Sequence, residues 1–367
     1  MEFTCSRQAL QGAVGLLSSI VPARSTKPIL QNIRIDGAGK NLVELAATDL
    51  DVGLKLRVEA TSLSDPSAVV LPAGQLAGIV RDAWGEEVTV QADGERAKIL
   101  TESASFEVLG EPAEEFPEIP DLDEDAAVQM CAADLAGAIA QTQFATAREE
   151  EGRYSLAGLY VALEKKQAEL AATDTFRLAV SRRPLRAAVD EPASAIVLSK
   201  GMSNLAKLLA NEEVVNLQIS ENQFFAQTAS ATLVSRLIEG KFPQYTNVIP
   251  KDLDKMVRVN RDRFMQALRQ ASVLANEETH AVQFQAGDGK LVLQSGSGQG
   301  AGARVEVDAQ VQGDEVSVSF NYLYFLDVLK VLAAAEVAIS LRDRESPARI
   351  DGKDYVYVVS PICPRDA

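Results

Sequence analysis

Two aspartates close the same word, E-L-A-A-T-D, spelled once at Glu44–Asp49 and again at Glu169–Asp174. A carboxylate contributed by each of two related segments is one way to build a shared-proton pair that activates water. That chemistry requires D-T-G or D-S-G on both sides, because glycine lets substrate approach closely. Here Asp49 is followed by Leu50 and Asp51, and Asp174 by Thr175 and Phe176. Thr-Asp at a strand end is instead a turn-forming pair whose side chains bond nearby backbone amides. Other templates fare no better. The single histidine, His280, lies in NEETHAVQF with no nucleophile beside it, and neither G-x-S-x-G, a P-loop nor G-x-G-x-x-G occurs. The Gly-rich stretch Ser295–Ala303 falls between strand patterns and reads as a hairpin loop, not a phosphate cradle. Cys5, Cys131 and Cys363 lack C-x-x-C spacing and read as reduced thiols. The acidic run EPAEEFPEIPDLDEDAA has no D-x-D-x-D-G order and reads as a solvated linker. No active site, metal or cofactor is expected.

The elements that carry these residues belong to a globular chain. At 367 residues, 47% hydrophobic and 24% charged, two to three domains with ordinary cores are expected. There is no basic-then-apolar leader and no run of 18 uncharged apolar residues, so the expectation is a cytoplasmic protein without a membrane partner. The net charge of -16 argues against a surface that is basic everywhere, but a local basic stripe survives such an average.

The repeated word belongs to a threefold repeat. NIRIDGAGKNLVEL, LYVALEKKQAEL and VQFQAGDGKLVLQS each alternate, turn and alternate again, predicting hairpins that start near Ile33, Leu159 and Val282. GLKLRVEA, RLAVSRRPL and ARVEVDAQV add a strand to each. Helical spacing follows in LPAGQLAGIVRDA, LSKGMSNLAKLLA and FNYLYFLDVLKVLA, and precedes the hairpins in SRQALQGAVGLL, AADLAGAIAQTQF and NRDRFMQALRQASVL. Ser6, Asp134 and Asn260 are candidate caps or first-turn groups for the latter three. The unit is therefore helix, strands, helix, strands. EEFPEIP and GKFPQYTNVIP mark exits, because proline ends ladder pairing. Domains are expected at 1–122, 123–250 and 251–367. The helices or their approaches carry Arg7, Arg24, Arg81, Arg148, Arg153, Lys200, Lys207, Arg261, Arg263 and Arg269, a positive recurrence against the acidic total.

RSTKPILQNI (Arg24–Ile33), LAATDLD, AATDTFRLAV, GKFPQYTNVIP, FNYLYFLDVL and YVYVVSPI occur in an order and at a spacing that resembles the bacterial sliding clamp family, the beta subunit of the replicative DNA polymerase III holoenzyme. The resemblance covers the whole chain. It implies an α+β fold of three repeated clamp domains, each with two helices packed on antiparallel sheet. It also implies a head-to-tail dimer closed into a ring, with helices lining the hole and a continuous sheet outside. Such a ring encircles duplex DNA without reading its sequence, is opened by a clamp loader, and tethers the replicative polymerase and other proteins carrying a clamp-binding motif. It is a processivity factor and not an enzyme.

By the same resemblance a client peptide rich in Gln, Leu and Phe enters a pocket formed by Leu156, Thr173, Thr175, Phe176, Arg177, Leu178, Pro243, Asn247, Val248, Pro347, Val358, Val359, Ser360, Pro361 and Ile362. Leu178 is taken as an anchor whose counterpart in the first copy is Leu54. DNA is expected at Arg24, Arg81, Arg148, Arg153, Tyr154, Lys200 and Lys207, and the dimer contact at Phe106 and Val108 against Val273 and Leu274. Three features depart from the family's usual pattern: Thr175 and Phe176 replace Gly-His or Gly-Tyr, Ser360 replaces Met, and CPRDA extends the end. Two other readings remain open at this point: a clamp-like docking scaffold that does not encircle DNA, and a hydrolase built on the duplicated aspartates.

Overall fold

The computed structural model describes residues 1–148, 154–296 and 302–362. One order of elements occurs three times among them. The first third runs β1 (Glu2–Ser6), α1 (Arg7–Ser18), β2 (Asn32–Gly37), β3 (Leu42–Thr48), β4 (Val52–Ser64), β5 (Ala68–Pro72), α2 (Ala73–Asp82), β6 (Glu87–Asp93), β7 (Arg96–Leu100) and β8 (Ser105–Leu109). The second runs β9 (Val128–Cys131), α3 (Ala132–Thr142), β10 (Gly158–Glu164), β11 (Gln167–Thr173), β12 (Arg177–Pro184), β13 (Ala193–Leu198), α4 (Ser199–Leu208), β14 (Val214–Ile219), β15 (Gln223–Gln227) and β16 (Ala231–Arg236). The third runs β17 (Lys255–Asn260), α5 (Arg261–Ser272), β18 (Ala281–Gly287), β19 (Lys290–Gly296), β20 (Gly302–Gln312), β21 (Val316–Asn321), α6 (Tyr322–Val331), β22 (Glu336–Leu341), β23 (Ala348–Gly352) and β24 (Tyr355–Val359).

The hairpins and both helices of each third lie where alternation and helical spacing place them. The strand that opens each third, β1, β9 or β17, was not anticipated. At 5, 4 and 6 residues these strands are too short for a periodic signal. Pairing with distant strands stabilises them: β1 lies between β4 and β6, and β17 between β20 and β22. Each runs straight into its helix through a cap. Ser6 accepts from the Ala9 amide at 3.4 Å and Asn260 from the Arg263 amide at 3.1 Å, while Asp134 sits in the first turn of α3, where a negative charge suits the helix dipole. Behind the caps, α1 buries Leu10, Ala13, Val14 and Leu17, and α5 buries Phe264, Ala267, Leu268 and Ala271, the same one-sided stripe.

The chain forms two compact units. Unit 1 comprises Met1–Ala136 and Leu185–Leu237, and unit 2 comprises Gly137–Pro184 and the chain from Ile238 onward. In unit 1 the strands run β8-β7-β6-β1-β4-β16-β15-β14-β9, so β4 of the first third pairs with β16 of the second. In unit 2 the order β10-β11-β12-β24-β23-β22-β17-β20-β19-β18-β21 joins β12 of the second third to β24 of the third. Each unit thus contains one junction of the same kind. Burial, reinforced by Glu87, pushes the Cys5 thiol up to about 12, so it acts as an inert core group. No helix among the described residues is long and apolar enough to cross a membrane.

Candidate peptide-binding site

The E-L-A-A-T-D word is built identically at both junctions. Glu44 stands opposite Arg57 across β3 and β4, and Glu169 opposite Arg182 across β11 and β12; each pair is ion-paired, at 3.6 and 2.5 Å. Leu, Ala and Ala are buried beneath the strands. The threonine closes the turn: Thr48 donates to the Val52 carbonyl at 3.0 Å and Thr173 to the Arg177 carbonyl at 2.6 Å. One carboxylate oxygen then accepts two backbone amides, Asp51 and Val52 onto Asp49, and Phe176 and Arg177 onto Asp174. Both aspartates are therefore turn formers, as their neighbours in sequence suggested. The turn requires left-handed backbone at its next residue, φ 79° at Leu50 and 80° at Thr175, which is why glycine would suit the position.

The second carboxylate oxygens diverge. That of Asp49 pairs with the Lys200 ammonium, which also donates to the Ile20 carbonyl at 3.0 Å. That of Asp174 accepts from Arg177 at 2.9 Å, and the same guanidinium donates to Asp327 at 2.8 Å and to the Phe144 carbonyl at 2.6 Å while lying 4.4 Å over the Tyr324 ring. Arg177 is largely buried and fully engaged within unit 2. It fastens the turn to α6 and to Phe144, just past the end of α3.

Every other proposed pocket residue also belongs to unit 2. The strand register sets Leu178 opposite Thr173 on one side and Val358 on the other. Leu178 and Val358 are buried with Ala171, Val180 and Tyr245, flanked by Tyr160, Phe242, Ile249 and Val356. Phe242 stacks on Tyr160 at 5.0 Å, and the Tyr245 hydroxyl donates to Glu169. Burial, helped by that carboxylate, pushes the Tyr245 phenol well above its ordinary value, so it stays a donor. Leu156 and Val359 are buried, Pro243 and Asn247 exposed. Past β24 the Ser360 amide donates to the Phe176 carbonyl at 2.8 Å, which holds Ser360 beside the turn, and the Ile362 amide donates to the Ser319 carbonyl of β21 at 2.7 Å. Pro347 immediately precedes Ala348, the partner of Val359. Two large apolar side chains are left in water, Phe176 at 59% and Val248 at 58% exposure. Leu178, by contrast, is buried. The aromatic cluster around Tyr245 was missed in the sequence, although the shared F-P words pointed to it.

The chain matches the DNA polymerase III beta subunit throughout: its N-terminal domain at residues 1–120, its central domain at 129–244 and its C-terminal domain at 246–365. The chain belongs to the DNA polymerase III beta subunit family. Among curated relatives, the beta sliding clamps of Salmonella typhimurium and Escherichia coli K12 are 31% and 30% identical, each alignment covering 99% of this chain and 100% of the relative. The Pseudomonas aeruginosa clamp bound to griselimycin superposes with a TM-score of 0.93 at 28% identity, covering 99% of both chains. The Bacillus subtilis clamp gives 0.91 at 28% identity, covering all of both. The beta subunit is a sliding clamp, a non-catalytic processivity factor.

Basic charge on this beta subunit is uneven among the helices: α5 carries Arg261, Arg263 and Arg269, the last two exposed, and α4 exposes Lys200 and Lys207. The exposed face of α1 is Gln8, Gly12, Gly15 and Ser18, and α3 carries no basic residue. Arg7 is tied to the Gly85 carbonyl at 2.9 Å and to Gln11. Basic groups sit at helix ends and in following segments: Arg24 exposed after α1, Arg81 in the last turn of α2 against Asp82, Lys200 and Lys207 in the first and last turns of α4, and Arg148 exposed after α3. Arg153 and Cys363 lie outside the described residues, and Tyr154 opens a short 3-10 turn. In unit 1, β8 is an edge strand on which Phe106 is exposed; Val108 is corrected to a buried residue of its own chain, with Leu109 exposed beside it. In unit 2, Val273 at 76% and Leu274 are exposed past the end of α5.

Proposed function

We propose that two copies of this clamp, each with domains at 1–122, 123–250 and 251–367, close head to tail into a ring around duplex DNA in the cytoplasm. A clamp loader places the ring, and the replicative polymerase and other clients carrying a clamp-binding motif dock at the second junction. The observation that carries the docking site is two solvent-exposed apolar groups, Phe176 and Val248, each a few residues along the chain from a member of the buried cluster, Leu178 and Tyr245. A short peptide with leucine and phenylalanine anchors gains most by covering such groups. Enclosure then keeps the tethered polymerase at high local concentration. The test is retention: protein loaded on closed circular DNA should stay through a salt wash and leave once the circle is cut. Equal loss from circular and linear DNA would favour the docking scaffold that does not encircle.

Closure needs complementary ends. An edge strand with Phe106 exposed and a helix end with Val273 and Leu274 exposed supply a heterologous pair that closes after two copies. Leu274→Asp should place a carboxylate against an apolar partner and give monomers by light scattering at micromolar concentration. An unchanged dimer mass would remove this contact from consideration.

Phosphate contacts by Arg24, Arg148 and Lys207 account for sequence-independent holding. Replacing any one with Ala should lower the slope of log affinity against log salt by about 0.9, equally for all DNA sequences. Lys200→Ala should change the slope less, because Asp49 already neutralises that ammonium.

A further inference from the structure

The two junctions share strands, turn and register, yet the second leaves Phe176 and Val248 open whereas the first leaves only Leu50 on its turn. The residue opposite Thr48 in β4 is Gly53, and the residue opposite Thr173 in β12 is Leu178. Gly53, not Leu54, is thus the counterpart of Leu178, and on their other sides they pair with Val234 and Val358. Where Leu178 projects a side chain, the first junction has none, and the exit segment fills the space. A Cβ built on Gly53 would lie 2.9 Å from Cγ2 of Ile119. Ile119 packs there with Phe116, Leu122, Ala46 and Val234. The two exit segments align from their shared Phe-Pro pair, Phe116-Pro117-Glu118-Ile119-Pro120-Asp121-Leu122 against Phe242-Pro243-Gln244-Tyr245-Thr246-Asn247-Val248, the second turning through a 3-10 helix at Tyr245–Asn247. Their last members differ most: Leu122 is 7% exposed, whereas Val248 stands in water. The first segment is also pinned from outside, by Asp121 to Lys55 at 2.7 Å and by the Asp123 amide to Gln218 at 3.0 Å.

We propose that the first junction is a second client cleft held shut in cis by its own exit segment, with Ile119 seated against Gly53 as the plug. The plug limits each chain to one client peptide. Its would-be ligand is the same class of short apolar peptide proposed for the second junction, and the inference rests on that reading. Leu50, 41% exposed on the first turn, is the anchor already present at the rim of the closed cleft. Gly53 is the enabling residue, since a strand position with room for a leucine would normally carry a side chain to pack.

The experiment titrates a labelled Gln-Leu-x-Leu-Phe peptide against full-length wild type, Ile119→Ala and Gly53→Ala, reads the number of sites, and maps a photo-crosslinking version of the peptide. Wild type should saturate at one peptide per chain, crosslinked near Val248. Ile119→Ala should add a second site at least tenfold weaker, crosslinked within residues 114–122. Gly53→Ala keeps all apolar material but forces Ile119 outward, so it should raise the same second site and remains informative if Ile119→Ala misfolds. Folded variants that still saturate at one peptide, or a wild type that takes two, would overturn the plug while leaving the second junction intact. A wild type that binds no peptide, or crosslinks elsewhere, would overturn the docking site itself and the plug with it.

Discussion

Arg177→Ala is expected to lower the unfolding free energy by about 3 kcal/mol, read as a fall in urea midpoint at unchanged slope. The figure comes from what is left behind. Asp174 and Asp327 both lose their guanidinium partner, Asp174 is almost buried, and the Phe144 carbonyl loses a donor. Breaking one side of a buried pair costs far more than the pair contributes net, because the orphaned charge stays in low dielectric. Arg177→Lys should recover only part of the loss: one ammonium cannot span two carboxylates and a carbonyl while lying flat on Tyr324. The variant should also weaken peptide binding, since the turn carries Phe176 and its carbonyl accepts the Ser360 amide. A loss below about 1 kcal/mol, typical of a solvated ion pair, would mean that Arg177 does not fasten this turn.

The fate of Arg177 shows where sequence reading stops. Thr173 and Asp174 declare their turn locally, because their partners lie within four residues. Asp327 and Tyr324 are remote in sequence, and no local pattern reports which carboxylate a long side chain reaches. The threefold repeat, the hairpins and the helix caps were legible for the same reason that the turn was: alternation, helical spacing and capping are short-range. Register was not, and a shift of one residue replaced Gly53 by Leu54 as the counterpart of Leu178. Burial was misjudged wherever tertiary contacts decided it. Leu178 and Val108 read as available anchors but are already packed, whereas Val248 reads like Leu122 yet follows a 3-10 turn and is left uncovered. Basic residues could be counted in the sequence, but their place at helix ends, and the capture of Lys200 by Asp49, required the fold.

Val248→Asp combined with Phe176→Asp should abolish polymerase stimulation while leaving the ring on circular DNA. Both side chains are exposed in the free chain, so removing them sacrifices little packing, unlike truncation of Leu178, whose loss would fall first on the Tyr245 cluster. Burying each against a peptide is worth about 1 to 2 kcal/mol from apolar area alone. Two carboxylates facing leucine and phenylalanine anchors add desolvation without a partner. Peptide affinity should therefore fall at least about 100-fold, or about 2.7 kcal/mol. The control lies in the other copy of the turn. Asp51 is the counterpart of Phe176 and its exposed side chain pairs with Arg236 at 3.6 Å on the surface, so Asp51→Ala should leave affinity unchanged. Thermal unfolding of the double variant should match wild type, separating lost docking from lost fold. Retained stimulation by a folded double variant would show that clients do not use these two groups, and the search would move to the chain end held by Ser360 and Ile362.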